Sequence, residues 1–208
     1  MDWANPLRSV TPTVDAEVLR VLAGTHAALT GNQVCRLSGR SYAGVHAVLG
    51  RLVAEGLVSR EQYGRTGAYR LKRDHVIASG LLSMLAARES FEEGLLSLVG
   101  GWHIAPVSIA MFGSAARGEA TAASDVDLLV VRDDAVSEDD ATWRDQVTTL
   151  AMRAEALCGN AAQIVELSRA ELGEAVTSQQ PLVASLRREA RTIFGEDAAR
   201  LAGSRRFD

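Results

Sequence analysis

The sequence has few cysteines, few aromatic residues and no long hydrophobic run. Its two cysteines, Cys35 and Cys158, both fall in helical patterns, and the four histidines make no zinc-type spacing with them. No apolar stretch approaches the roughly 20 residues of a membrane span, and the N-terminus, MDWANPLRSV, lacks the apolar core of a signal peptide. We therefore expect a cytoplasmic protein with free thiols, without a disulfide framework or a membrane segment.

A large excess of one charge is also absent, but the charges are unevenly distributed. Residues 1–75 hold ten Arg or Lys and six Asp or Glu, whereas residues 76–208 hold twelve and twenty. A basic front and an acidic back indicate two modules with different partners. The excess at the front permits nucleic-acid binding without requiring it.

The first seventy residues predict three helices followed by a β-hairpin. Apolar residues recur at helical spacing over 14–23, then over 31–37 after a Thr30 cap, and then over 42–53 after a Ser41 cap. After Gly56 the pattern changes to short strands at 57–61 and 68–71, separated by the turn YGRTG.

This pattern resembles the winged helix-turn-helix family of bacterial regulators, mainly through the segment VLGRLVAEGLVSREQYGRTGAYRL. The resemblance implies that the third helix enters the DNA major groove and that the wing contacts the backbone. The residues expected to bind DNA are Arg40, Ser41, Tyr42, His46, Arg60 and Arg65. A dimerisation or protein-docking role for the same fold stays open.

The rear half carries a glycine-serine turn followed by paired aspartates. Gly113-Ser114 follows an apolar strand pattern at 107–112 and precedes a helical pattern, so its backbone N–H groups suit an anion. Asp125 and Asp127 precede and enter a second apolar strand, where alternate carboxylates point to the same side. Carboxylates beside a phosphate-binding turn suit Mg²⁺, which binds oxygen ligands and substrate phosphates.

A third carboxylate is expected near the attacking group. Glu166 lies between apolar residues in the strand pattern QIVEL at 163–167, and it is the candidate.

The last forty residues show helical periodicity, with Ile193 assigned to the final helix. The segment 74–98 predicts one long helix, or two separated near Glu89-Ser90, which either contribute to a dimer interface or pack as an ordinary part of the core.

The segment MFGSAARGEATAASDVDLLVV resembles the signature of the DNA polymerase β-like nucleotidyltransferase superfamily, in its minimal nucleotidyltransferase branch. The resemblance implies that Gly113 and Ser114 bind nucleotide phosphates and that Asp125 and Asp127 bind Mg²⁺ or Mn²⁺. Glu166 would bind metal or activate the acceptor, and Arg117 would neutralise phosphate or fix the turn. The P-loop, dinucleotide and nucleophile-elbow patterns do not fit, because their residues and spacings are absent.

Together these patterns predict an α+β protein with a winged helix-turn-helix domain at 1–73, a linking helix at 74–101 and a small mixed-sheet nucleotidyltransferase domain with C-terminal helices at 102–208. The expected activity is NMP transfer from an NTP to a hydroxyl group, with ATP as the favoured donor. The acceptor is expected to be a partner protein, such as a toxin, or a small molecule. The alternative is a transcriptional regulator whose rear domain only senses nucleotide. A homodimer is expected for reading a two-fold DNA site.

Overall fold

A computed structural model describes residues 1–64 and 66–203. The chain divides into two compact units between Ala87 and Arg88. The N-terminal unit contains Ala4–Ala87 and Asp2, and the C-terminal unit contains the chain from Arg88 together with Met1 and Trp3. The division lies inside the segment 74–101 that the sequence assigns to a linker. None of the described helices has the length and apolar character of a membrane-spanning segment.

The N-terminal unit consists of helices around a small antiparallel sheet. After a 3₁₀ turn at Pro6–Ser9, its elements are α1 (Val14–Ala23), β1 (Leu29–Thr30), α2 (Gly31–Ser38), α3 (Tyr42–Ala54), β2 (Val58–Tyr63), β3 (Thr66–Leu71) and α4 (Val76–Leu85). The strand order is β1-β3-β2. The predicted order of three helices and a hairpin is confirmed, and the two-residue strand β1 is an addition that the sequence pattern did not indicate.

Local capping explains where the helices of this unit begin. Thr30 Oγ1 accepts a hydrogen bond from the Gln33 N–H, and the Thr30 N–H donates to Gln33 Oε1, which completes a capping box. Ser41 accepts from the N–H of Gly44 and starts α3. These predicted caps are confirmed. Because the apolar stripes of α1, α2 and α3 then face one another and the hairpin, they form a single buried cluster.

The segment after the hairpin contains two helices, the second of the two predicted alternatives, but they separate at Ala86 and not near Glu89-Ser90. α4 is followed by α5 (Ala87–Val99), with Ala86 between them. Phe91 on α5 packs edge-on against Trp3, with ring centroids 5.0 Å apart. The Trp3 N–H also donates to the carbonyl of Ala120 at 2.9 Å, so Trp3 packs with the C-terminal unit.

The C-terminal unit is built on a four-stranded mixed sheet. Its further elements are β4 (Ser108–Phe112), α6 (Gly113–Arg117), β5 (Val126–Arg132), α7 (Ala141–Cys158), β6 (Ala162–Ser168), α8 (Arg169–Thr177), α9 (Pro181–Glu189), β7 (Arg191–Gly195) and α10 (Ala198–Leu201). The strand order is β6-β5-β4-β7, with β5 and β6 parallel and the other pairs antiparallel. The predicted mixed sheet is confirmed.

The strand β7 corrects one sequence-based expectation. The apolar spacing of the residues before Ile193 continues through it and predicts a helix. In the structure it lies in β7, which pairs antiparallel with β4 from Met111↔Arg191 to Ser108↔Gly195. An edge of β4 needs a hydrogen-bonding partner, and this long-range pairing outweighs the local helical pattern.

The sheet separates two hydrophobic clusters, one on each face. Alternate residues of β5 contribute to each: Leu128 and Val130 pack towards Trp143 on α7, whereas Leu129 and Val131 pack towards α8 and α9. This alternation determines on which side of the sheet each functional side chain lies. Cys35 and Cys158 are both free thiols, with Cys158 buried and Cys35 half-buried.

Candidate functional site

The glycine-serine turn lies where β4 passes into α6. Gly113 has a φ of +70°, in the left-handed region that favours glycine. A Cβ added there would overlap Oδ2 of Asp127 and lie 3.3 Å from its Cγ. The Asp127 carboxylate therefore rests directly on the Gly113 backbone, and only glycine leaves room for it.

The paired aspartates lie beside this turn. Asp127 is opposite Phe112 in the β4–β5 pairing, one residue before Gly113, and Asp125 immediately precedes β5. Burial raises the pKa of Asp127, and the negative charges of Asp125 and Glu189 raise it further. The groups acting on Asp127 are thus two other carboxylates, and a cation at this position would relieve their repulsion.

Arg117, the last residue of α6, is held between two carboxylates. Its Nε donates to Glu119 Oε2 and its Nη1 donates to Glu189 Oε2, each at 2.7 Å. Of the two roles considered for Arg117 from the sequence, these contacts favour fixing the turn. Ser114, next to Gly113, accepts hydrogen bonds through its backbone carbonyl from the N–H groups of Glu119 and Ala120, which closes the loop after α6.

Glu189 is a site residue that the sequence analysis did not identify. Its side chain is only 4 % exposed. It ends α9, two residues before the Arg191 that pairs with Met111 on β4. The sequence does not indicate that Glu189 lies near Gly113, because residues 191–195 continue a helical pattern. Once they form a strand beside β4, Glu189 is carried to the end of the sheet where Gly113 lies.

Glu166 is not brought to the aspartate pair. It is opposite Val130 in the β5–β6 pairing, on the sheet face that packs towards α7. Its Oε1 accepts a hydrogen bond from Trp143 Nε1 at 2.7 Å and lies 3.3 Å from Arg132 Nε. Asp127 shares the opposite face with its partner Phe112. Glu166 is therefore placed as a counter-ion of the buried Arg132.

The residue of β6 that lies beside Asp127 is Gln163. The parallel register pairs Asp127 with Gln163, so the two side chains share a sheet face. Gln163 is exposed. An amide oxygen can bind a cation, but a glutamine cannot act as a base at neutral pH.

The sequence profile described as "Nucleotidyltransferase domain" matches residues 89–204, more than half of the chain. The chain belongs to this nucleotidyltransferase family. The matched range starts within α5, earlier than the domain start at 102 that the sequence patterns suggest, and it includes the turn at Gly113 and both aspartates.

The solved structures that resemble this chain are more distant. A solved structure described as "Crystal structure of the toxin-antitoxin with AMP-PNP" has 19 % identity and a TM-score of 0.36, covering 54 % of this chain and 81 % of that one. A structure of TrmBL2, described as an archaeal chromatin protein with a novel mode of DNA binding, has 18 % identity and a TM-score of 0.30, covering 77 % of this chain and 65 % of that one. These TM-scores are too low to establish a shared fold. No curated protein matches.

The aspartate pair beside the Gly113 turn fits a metal ion held by few protein ligands. Within residues 1–64 and 66–203, no group of three or more His, Cys, Asp or Glu side chains is arranged to hold a metal. The aspartate pair remains, with Asp127 half-buried and Asp125 exposed. Mg²⁺ commonly uses one or two carboxylates and takes its other ligands from water and phosphate. The donors present therefore fit Mg²⁺ bound together with a triphosphate.

The N-terminal unit brings together only part of the predicted DNA-binding set. Tyr42, His46 and Arg60 line one cavity of about 610 Å³ with Tyr69. The Tyr42 and His46 rings are 4.0 Å apart. Arg65 lies outside the described residues.

Arg40 and Ser41 are engaged locally and do not line this cavity. Arg40 Nη2 donates to Glu17 Oε1 at 3.1 Å, and Ser41 accepts the capping hydrogen bond of α3. Glu17 is a buried acid, 2 % exposed, that also contacts Arg8 at 2.6 Å and Arg20 at 3.7 Å. Arg40 therefore helps to compensate a buried charge, which reduces the positive charge it offers to a phosphate.

Proposed function

We propose that the C-terminal unit transfers a nucleotidyl group from a nucleoside triphosphate to a hydroxyl group on an acceptor and releases pyrophosphate. ATP is the donor we favour. The observation that carries the proposal is the packing of the Asp127 carboxylate on the positive-φ Gly113, with Asp125 beside it. Membership of the nucleotidyltransferase family supports the same reaction class.

The proposed roles follow from the donors at the turn. Gly113 and Ser114 bind phosphate oxygens through backbone N–H groups and the serine hydroxyl. Asp125 and Asp127 hold Mg²⁺ or Mn²⁺, which neutralises charge on the triphosphate. Arg117 keeps α6 in place. The acceptor class we propose is a hydroxyl on a partner protein, as in toxin–antitoxin pairs, or on a small molecule.

Transfer of label from [α-³²P]ATP to components of a cell lysate tests the proposal. With Mg²⁺, the wild-type protein should label an acceptor, and Asp125→Asn should reduce labelling by at least about 100-fold, the usual cost of losing a group that stabilises developing charge. Asp145→Asn on α7, another exposed aspartate of the same unit, is the matched control and should keep full activity. Equal labelling by the Asp125 and Asp145 variants would refute the proposed site.

A second function is favoured by one specific observation. Gln163, not a carboxylate, pairs with Asp127 across the β5–β6 register. Without a base in that position the unit would bind Mg²⁺ and nucleotide and act as a sensor coupled to the N-terminal unit. Nucleotide-dependent DNA binding with no label transfer supports this function. Gln163→Asp should then introduce or increase transfer, and an unchanged rate would argue against this explanation.

We further propose that the N-terminal unit is a winged helix-turn-helix that contacts DNA backbone, as a homodimer. Its element order and the place of Arg60 in the cavity that Tyr42 and His46 also line support the DNA contact, and the two-fold symmetry of the DNA sites that such domains read favours the homodimer. The exposed residues of α3 after Tyr42 are mostly alanine and glycine, which favours phosphate contacts over base reading.

Fluorescence anisotropy with a labelled duplex tests this DNA contact. Arg60→Ala should weaken binding similarly for all sequences and lower the salt slope by about 1. Arg51→Ala is the control, since Asp15 and Glu55 already pair with Arg51. Binding that depends equally on both arginines, or no binding at low salt, would contradict the proposed surface.

A further inference from the structure

Glu189 is a buried carboxylate whose surroundings differ from those of an ordinary surface ion pair. Acidic side chains are seldom buried unless they are paired. Arg117 Nη1 donates to Glu189 Oε2 at 2.7 Å, and Arg188 Nη2 lies 3.3 Å from the same oxygen. Burial raises the pKa of Glu189, but the hydrogen bonds from Arg117 and Ser185 and the arginine charges lower it overall. Glu189 is therefore ionised at neutral pH.

The second oxygen of this carboxylate is buried without a hydrogen bond of normal geometry among the described residues. Apolar residues of similar volume often replace buried ion pairs without loss of stability. Stabilisation alone is thus a weak explanation for Glu189. Its position offers a better one, because it faces the helix that begins at the phosphate-binding turn.

Helix α6 is too short to hold its own position. It has five residues, and an isolated helix of that length is unstable in water. Its first residue, Gly113, packs on Asp127, and its last residue, Arg117, is bound by Glu189. Glu189 therefore holds the C-terminal end of α6 through Arg117, while Arg88 Nη1 donates to the carbonyl of Ala116 at 3.1 Å.

We propose that Glu189 is a positioning residue of the nucleotidyltransferase site: through Arg117 it holds α6, and so keeps the turn at Gly113-Ser114 in its nucleotide-binding conformation. The nucleotide-binding part of this inference rests on the proposed function. The chain supplies a matched comparison, because Arg117 binds a second carboxylate, Glu119, at the same 2.7 Å, and the Glu119 side chain is 64 % exposed.

Amide hydrogen exchange of the full chain tests the positioning directly. Glu189→Gln keeps the side-chain shape and removes the charge, and Glu119→Gln does the same at the exposed partner. We expect amides of residues 113–117 to exchange about tenfold faster in Glu189→Gln, with β5 amides unchanged, and to change less than about twofold in Glu119→Gln. Unchanged protection of α6, or equal loss of protection in α6 and β5, would overturn the proposal.

Nucleotide affinity provides the second measurement. The probe is α,β-methylene-ATP with Mg²⁺, whose bridge cannot be cleaved in nucleotidyl transfer. Glu189→Gln should raise its Kd about tenfold, and should have no added effect in an Arg117→Gln background. Additive effects would show that Glu189 does not act through Arg117. Should Glu189→Gln be too unstable to measure, Glu189→Asp keeps the charge and should retain more α6 protection than Arg117→Gln.

The two proposals fail in different ways. Nucleotide binding without label transfer would end the catalytic proposal and leave the positioning role to be decided by exchange and affinity. No nucleotide binding by the wild-type protein would end the proposed function, and exchange in residues 113–117 would still show whether Glu189 holds α6.

Discussion

Replacing Gly113 with alanine tests the packing on which the proposed site depends. The change has two costs. Alanine at a φ of +70° enters the left-handed region, which costs about 1 kcal/mol. The new methyl group also overlaps the Asp127 carboxylate, and forced overpacking of this kind costs about 1–3 kcal/mol. We expect a total loss of about 2–4 kcal/mol in the free energy of unfolding.

Gly159 provides the matched control in the same unit. Its φ is +72°, and an added Cβ would meet nothing within 4 Å. Gly159→Ala should therefore lose only the backbone contribution of about 1 kcal/mol. The difference between the two variants isolates the contact with Asp127.

Urea unfolding gives the stabilities, and Mn²⁺ binding followed by electron paramagnetic resonance gives the effect on the site. Gly113→Ala displaces the Asp127 carboxylate and should weaken Mn²⁺ binding by about tenfold or more, as loss of ligand orientation commonly does. Gly159→Ala should bind Mn²⁺ like the wild-type protein. Equal stability losses, or unchanged Mn²⁺ affinity in Gly113→Ala, would refute the inferred packing.

Two further predictions concern the acids outside the aspartate pair. Glu166→Gln should leave nucleotide binding and transfer within about twofold of the wild-type values. It should lower the free energy of unfolding by about 1–2 kcal/mol, because it weakens the contacts with Trp143 and Arg132. A large loss of transfer at unchanged stability would return Glu166 to the site. Glu17→Gln should cost about 2 kcal/mol at pH 7, measured by urea unfolding. Burial raises the pKa of Glu17, but hydrogen bonds from Arg8 and Arg40 lower it overall. The ionised carboxylate therefore stabilises the fold at pH values above the usual glutamate pKa of about 4.3. This stabilisation disappears as the pH falls through the lower pKa that Glu17 has in the folded protein. The stability difference between wild type and Glu17→Gln should therefore shrink between pH 5 and about pH 3, and a difference that stays constant would contradict the role of its charge.

The sequence alone determined the features that depend on neighbouring residues. Thr30 and Ser41 begin their helices through bonds to residues three positions later. The strand patterns before Gly113 and at Asp127 become the adjacent strands β4 and β5. Such signals are readable because capping and apolar periodicity act within one or two turns of chain.

Only the tertiary structure decided which acids meet at the turn. Glu166 was a reasonable choice by its strand pattern, but the β5–β6 register places Gln163 beside Asp127 and turns Glu166 to the other sheet face. Glu189 reaches the site because β7 pairs with β4. A shift of one residue in a strand reverses every side chain, and register is fixed by contacts between residues far apart in the chain. Local sequence patterns carry no information about that choice.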